Sequence, residues 1–191
     1  MSNLTELLVE LTSGDEIRAE AAVPGLVALG DVVHHHLETL LGSPKVDHRW
    51  WALRVLAQND KVEISWLIHA LYDSEVEVRQ CAALALCNHP DIKGIPAQVN
   101  ALSDSDGMVS TLAANALIVI GEPAVPPLLE LLNDAPQSAR LNAMRALTGI
   151  ADPRAIPAMM AALEEDSAIL QYWAEAGLER LGLNMVYLKP D

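Results

Sequence analysis

The 191-residue sequence contains no phenylalanine, and aromatic residues make up only 4% of it. A core without Phe has to be filled by aliphatic side chains, and Ala, Leu and Val dominate the 51% that is hydrophobic. Small aliphatic residues suit helices stacked at close range. Basic residues are also scarce: 12 Lys and Arg stand against 26 Asp and Glu, a formal net charge of −14. Phosphate backbones are held by Lys and Arg, so this balance argues against a nucleic-acid partner. There are two cysteines, Cys81 and Cys87. Six positions apart on one predicted helix, they are separated by a rise of ~9 Å. A disulfide does not span that distance, so reduced thiols are expected, and neither belongs to a zinc-type pair. No apolar run approaches the ~20 residues of a membrane span, so no membrane partner is expected. The opening stretch MSNLTELLVELTSGDE carries acids and no basic leader. It is not read as a signal peptide, and a cytoplasmic location is expected.

What the sequence does have is a period. Val33, Ile64, Ile95, Val125 and Ile156 follow one another at 31, 31, 30 and 31 residues. Leu26, Leu56, Leu86, Leu117, Leu147 and Leu178 follow at 30, 30, 31, 30 and 31. Self-similarity at this interval marks a stack of helix pairs, in which each unit buries its apolar face only against its neighbours. The units fall at about 1–30, 31–60, 61–90, 91–121, 122–151 and 152–182, followed by a tail, 183–191. No linker or low-complexity stretch interrupts them, so 1–191 is expected to be a single repeat domain. Ser13 with Glu16, and Ser74 with Glu77, have capping-box spacing before second helices. Pro24 predicts a kink or break. Met185, Val186, Tyr187 and Leu188 are apolar enough to be expected to fold back over the last unit.

The motif detail carries a family resemblance. Unit openings such as GEPAVPPLLELL and DPRAIPAMMAAL lead to second helices such as VRQCAALALC and ARLNAMRAL. These resemble HEAT repeats of the short, phycobilisome-lyase type over nearly the whole chain. Arg18, Arg49, Arg79 and Arg140 match the arginine that opens the family's second helix, and Asp73, Asp104 and Asp134 match its turn aspartate. Ser110 and Gln171 replace the arginine in two units and Gly42 stands at the aspartate column, which interrupts an Asp–Arg ladder. The resemblance implies an all-α fold, a right-handed α-solenoid (an α-α superhelix, armadillo/HEAT-like) of about six helix pairs. It implies no single function.

Candidate chemistry is thin. His34, His35 and His36 are consecutive, and successive helical side chains diverge by about 100°, so they do not converge on one ion. No metal site and no cofactor are expected. There is no Gly-rich phosphate loop and no G-x-S-x-G elbow, and Cys87 has no His and acid in register. No catalytic residues are assigned, and a non-catalytic protein is favoured over an enzyme. Glu164 and Glu165 are expected to be exposed, solvated acids.

The second helices are more informative. Their repeat register buries the columns of Val78, Cys81, Ala82, Ala85 and Leu86 and turns those of Gln80, Ala83, Leu84 and Cys87 outward. Trp51 and Trp173 fall in the buried set. In the resembling family the second helix lines a concave surface. On that footing the groove collects Trp50, Leu53, Arg54, Leu84, Asn115, Ile118, Leu141, Met144, Arg145 and Tyr172. Trp, Tyr, Met and Arg are enriched in protein interfaces. The sequence therefore predicts a non-catalytic interaction or scaffold module that binds a protein or peptide on its concave face. Two alternatives stand beside it: a chromophore chaperone like the bilin lyases, implied by the resemblance, and a structural subunit of a larger assembly.

Overall fold

The computed structural model describes residues 3–183. Every regular element among them is helical. In chain order they are α1 (Leu4–Leu11), α2 (Glu16–Ala28), α3 (His34–Leu41), α4 (Val46–Leu56), α5 (Ile64–Ala70) and α6 (Val76–Asn88), then α7 (Ile95–Ala101), α8 (Gly107–Ile120), α9 (Val125–Asp134), α10 (Gln137–Ile150), α11 (Ile156–Ala162) and α12 (Ala168–Arg180). They fall into two compact units, one ending at His89 and the other beginning at Pro90. In the first, α1 pairs with α2, α3 with α4 and α5 with α6, and the second helices pack in series, α2 on α4 and α4 on α6. The second unit repeats this scheme with α7–α8, α9–α10 and α11–α12, and with α8, α10 and α12 in series.

The predicted periodic columns are the core. Leu26, Leu56, Leu86, Leu117, Leu147 and Leu178 are all fully enclosed. Val33, Ile95 and Val125 of the first-helix column are buried as well, while Ile64 and Ile156 are half-buried. A second first-helix column, Leu37, Leu67, Gln98, Leu128 and Met159, is likewise enclosed.

Local starts and stops differ in detail from the expected signals. Asp15, not Ser13, caps α2, accepting from the Ile17 and Arg18 amides, while the Ser13 hydroxyl accepts from the Asp15 amide. At α6 the N-cap is Glu75, whose own amide donates to Asp73 Oδ1 rather than joining a box built on Ser74. At α2 the aspartate takes the helix amides, as a charged acceptor does, whereas at α6 no side chain caps the helix. Pro24 does not end α2, which runs on to Ala28 with the proline on its exposed side. At Gly177 a Cβ would sit 2.5 Å from the Met159 methyl, so α11 and α12 close on a bare backbone there. The expected fold-back of Met185, Val186, Tyr187 and Leu188 lies outside the described residues.

Gln98 breaks the logic of its column. It is fully enclosed, and neither its Oε1 nor its Nε2 has a hydrogen-bond partner among the described residues. A buried polar group left unsatisfied costs about 1–3 kcal/mol. Gln98→Leu restores the residue type of the column and is expected to raise unfolding stability by about that amount. Leu117→Ala, in the regular column, is expected to lower it by ~2–5 kcal/mol. Denaturant unfolding of both variants checks the register, and a Gln98→Leu protein no more stable than the parent would mean that the amide is satisfied.

Candidate functional site

A hollow of the first unit lies where its three second helices begin. About 550 Å³ in volume, it is lined by Gly14 and Glu16 at the start of α2, Val46, Asp47, Trp50 and Trp51 on α4, and Glu75 and Glu77 at the start of α6. The two indoles meet edge to face, with ring centroids 4.7 Å apart and planes at 89°. Trp51 is buried and Trp50 half-buried, so one ring is fixed in the core and the other stands in the wall. Glu16, Asp47 and Glu77 occupy first helical turns, where a carboxylate complements the positive end of the helix dipole. Among the described residues none of the four carboxylates is paired with a cation.

A smaller hollow, about 290 Å³, lies among Glu38, Leu41, Trp66, His69, Tyr72 and the Arg49–Asp73 pair. That pair is bidentate: Arg49 Nε and Nη2 donate to the two Asp73 oxygens at 2.7 Å each, and Nη1 donates to the Ser43 carbonyl at 3.0 Å. Each side chain is only 12% exposed. Burial pushes the Asp73 carboxyl up. The Arg49 hydrogen bonds, the Glu75 amide and the charges of Arg49 and Arg79 more than reverse this, so it titrates below its ordinary 3.8.

The groove residues predicted from sequence divide. Leu84 and Tyr172 are exposed, at 53% and 61%. Trp50, Arg54, Asn115, Ile118, Leu141 and Arg145 are half-buried. Two of the cations in this set bridge successive second helices: Arg54 pairs with Glu20 at 2.9 Å, and Arg145 donates to Asn115 Oδ1 at 2.9 Å. Leu53 and Met144 are corrections. They are 0% and 1% exposed and belong to the core, as does Ala83, which shares their column. The column is covered where second helices pack in series; Glu175, its counterpart on the last described helix, is exposed. Trp173 is half-buried, not enclosed, and Glu165 pairs with Arg140 instead of standing free in solvent.

His34 lies edge-on to Trp66 and within 3.3 Å of the Asn59 amide, while His35 approaches Glu38, so the triplet faces different partners. Both cysteines are free, and burial pushes the Cys81 thiol up to about 11 against a smaller pull from Arg54. Such a thiol is a poor nucleophile at neutral pH.

Two family models cover the middle of the chain, HEAT repeats over 64–140 and PBS lyase HEAT-like repeat over 139–165. The chain is a HEAT-repeat protein. Its fold is accordingly of the armadillo/HEAT solenoid class. Among curated proteins, this HEAT-repeat chain is 40% identical over 75 residues to the phycocyanobilin lyase subunit beta of Pseudanabaena tenuis, covering 39% of this chain and 27% of that one. It is 32% identical over 107 residues to the phycobilisome maturation protein of Synechococcus elongatus, covering 56% and 51%. The matches thus span about half or less of the length of these relatives. Among solved structures, it resembles the complex of CpcE and CpcF of phycocyanin lyase from Nostoc sp. PCC7120, with a TM-score of 0.58 at 23% identity, covering 74% of this chain and 96% of that one.

The four carboxylates of the larger hollow were not among the predicted site residues. Their signal was present: Glu16, Asp47 and Glu77 recur at 31 and 30 residues, the period of the repeat itself.

Asp73→Asn is expected to cost about 1.5–3 kcal/mol at neutral pH, the range for a hydrogen bond to a charged group. The sign with pH follows from the depressed pKa. The carboxylate stabilises the fold above its unfolded pKa, and that contribution is lost as pH falls through the lower folded value. The stability gap between parent and variant should therefore close below about pH 4. Denaturant midpoints measured across the acid range check this, and a gap independent of pH would show that the pair is not the cause.

Proposed function

We propose that this HEAT-repeat chain works in bilin handling during phycobiliprotein maturation, as a protein-binding component that acts together with a second chain. The observation that carries the proposal is the overlap of the matched repeats with named lyase and maturation proteins, 32–40% identical over 75–107 residues. The two-chain composition of the solved phycocyanin lyase complex supports an activity shared with a second chain. The proposed docking residues are those of the second-helix face that remain accessible: Trp50, Arg54 and Leu84 in the first unit, and Asn115, Ile118, Leu141, Arg145 and Tyr172 in the second. Leu53 and Met144 drop out. The larger hollow is not offered as the bilin site, because a bilin carries two propionates and the hollow is ringed by carboxylates.

A second reading keeps the interaction module without the bilin. The exposed Leu84 of the first unit and the exposed Tyr172 of the second, each on a second helix, favour it as large apolar side chains left in solvent.

The test combines the purified chain with phycocyanobilin and with apo-phycocyanin, separately and together. The expected outcome is association with apo-phycocyanin on gel filtration, or a change in bilin absorption and fluorescence that needs this chain. Tyr172→Ala and Leu84→Ala should each weaken that association by more than ~1 kcal/mol, the threshold of an interface hot spot. If neither the bilin spectrum nor the elution of apo-phycocyanin responds, the maturation reading fails and the general interaction module remains.

A further inference from the structure

The larger hollow has an unusual composition for a cavity between helix starts. Two of its lining residues are aromatic, Trp50 against Trp51 at right angles, and four are acidic, drawn from three helices at once. The dipole accounts for part of the acid. Each helix N-terminus is equivalent to roughly +0.5 charge, so three of them offset about +1.5 of the four negative charges and leave about −2.5. Of the cations nearest in sequence, Lys45 is the N-cap residue of α4, two positions before Asp47, and the three arginines have other partners. Arg18 is held by Glu10 at 2.6 Å, Arg49 is held by Asp73, and Arg79 donates to the Asp73 and Ser74 carbonyls. Nor do the first-turn carboxylates explain why an indole should stand half-open between them.

From this geometry we infer that the hollow is a docking pocket for an arginine side chain presented by a basic segment of a protein partner. The inference does not rest on the bilin reading and stands or falls separately. A guanidinium matches each feature. Its planar face stacks on Trp, the ring type with the strongest attraction for cations. Its five donors in a fixed fork reach carboxylates on more than one side, which a point-like ammonium does not. The volume, about 550 Å³, exceeds what one side chain fills, so the backbone and a neighbouring residue of the segment enter with it. The field of a −14 chain draws such a segment in and makes capture dependent on salt.

The test uses the full chain and three six-residue peptides of equal length. One contains three arginines, one has lysine in their place, and one has citrulline, which keeps the shape of arginine and loses its charge. Binding is followed by tryptophan fluorescence and by the indole N–H signals in 1H–15N spectra. The arginine peptide is expected to shift the Trp50 indole signal and to bind at least ~5-fold more tightly than the lysine peptide and ~10-fold more tightly than the citrulline one. Trp50→Ala should weaken it ~5-fold or more. The pair Asp47→Asn with Glu77→Gln, exposed substitutions that leave the core untouched, should weaken it ~10-fold. Glu130→Gln with Asp134→Asn removes the same charge from α9, remote in sequence from the pocket, and should leave binding within twofold. Three results would each overturn the proposal: equal loss from the α9 pair, which means attraction to net charge alone; equal affinity for the lysine peptide; or an unmoved Trp50 signal at low salt. Preserved helical circular dichroism in each variant separates loss of the pocket from loss of the fold.

Discussion

The structure depends on how closely its second helices can be enclosed, and one column of alanines sets that limit. Ala22, Ala52, Ala82, Ala113, Ala143 and Ala174 occur once in each second helix, and none is more than 2% exposed. Each is followed by a residue that is also buried, except in the last described helix, where Glu175 is exposed. A larger side chain in the alanine column would separate helices that gain their stability only from stacking. The leucines of the regular column then fill the space between first and second helices. The absence of Phe fits this economy of volume.

The same constraint decides what is left for recognition. Once the alanine column and its neighbour are covered, a second helix keeps only a narrow outer strip. Trp50 with Arg54, Gln80 with Leu84, Thr111 with Asn115 and Leu141 with Arg145 lie on it at i and i+4, the spacing that aligns side chains on one face. Part of the strip is already engaged. Arg54 reaches Glu20 and Arg145 reaches Asn115, so these cations tie successive helices together before they meet a ligand. Leu84 and Tyr172 make no such bridge and are the most exposed apolar groups of the set.

Much of this was legible in the sequence. The two periodic columns gave the units, their helix pairs and most of the core, because stacking writes the same demand into every repeat. Leu53 and Met144 were misread for a related reason. In the unit used to set the register their column holds Ala83, whose small size is equally at home inside or outside. Only the packing of second helices in series shows that it is a seam. The Trp50 hollow was missed because its acids belong to three helices. Each looks like an ordinary first-turn carboxylate when its own helix is read alone. The capping residues were misread because Asp15, two residues after Ser13, takes the α2 amides, and because α6 starts after Glu75 with no side-chain cap.

Gln98 shows how far a periodic fold tolerates an exception. Its neighbours in the column are leucines and a methionine, all enclosed, so the position demands an apolar side chain and receives an amide. Stacked repeats share each core position with adjacent layers, so the cost of one unsatisfied group is carried by the stability of several. The same sharing makes a conflict local. A single poor position weakens its own layer most, and opening there needs less free energy than opening elsewhere. α7, one of the shortest helices at seven residues, carries that burden. The chain between Pro90 and Gly107 is then the stretch of the second unit that opens first when the fold is stressed. Hydrogen exchange of the α7 amides should be faster than that of α9, and Gln98→Leu should slow it toward the α9 rate. Equal protection of α7 and α9 in the parent chain would mean that the buried amide costs the stack nothing.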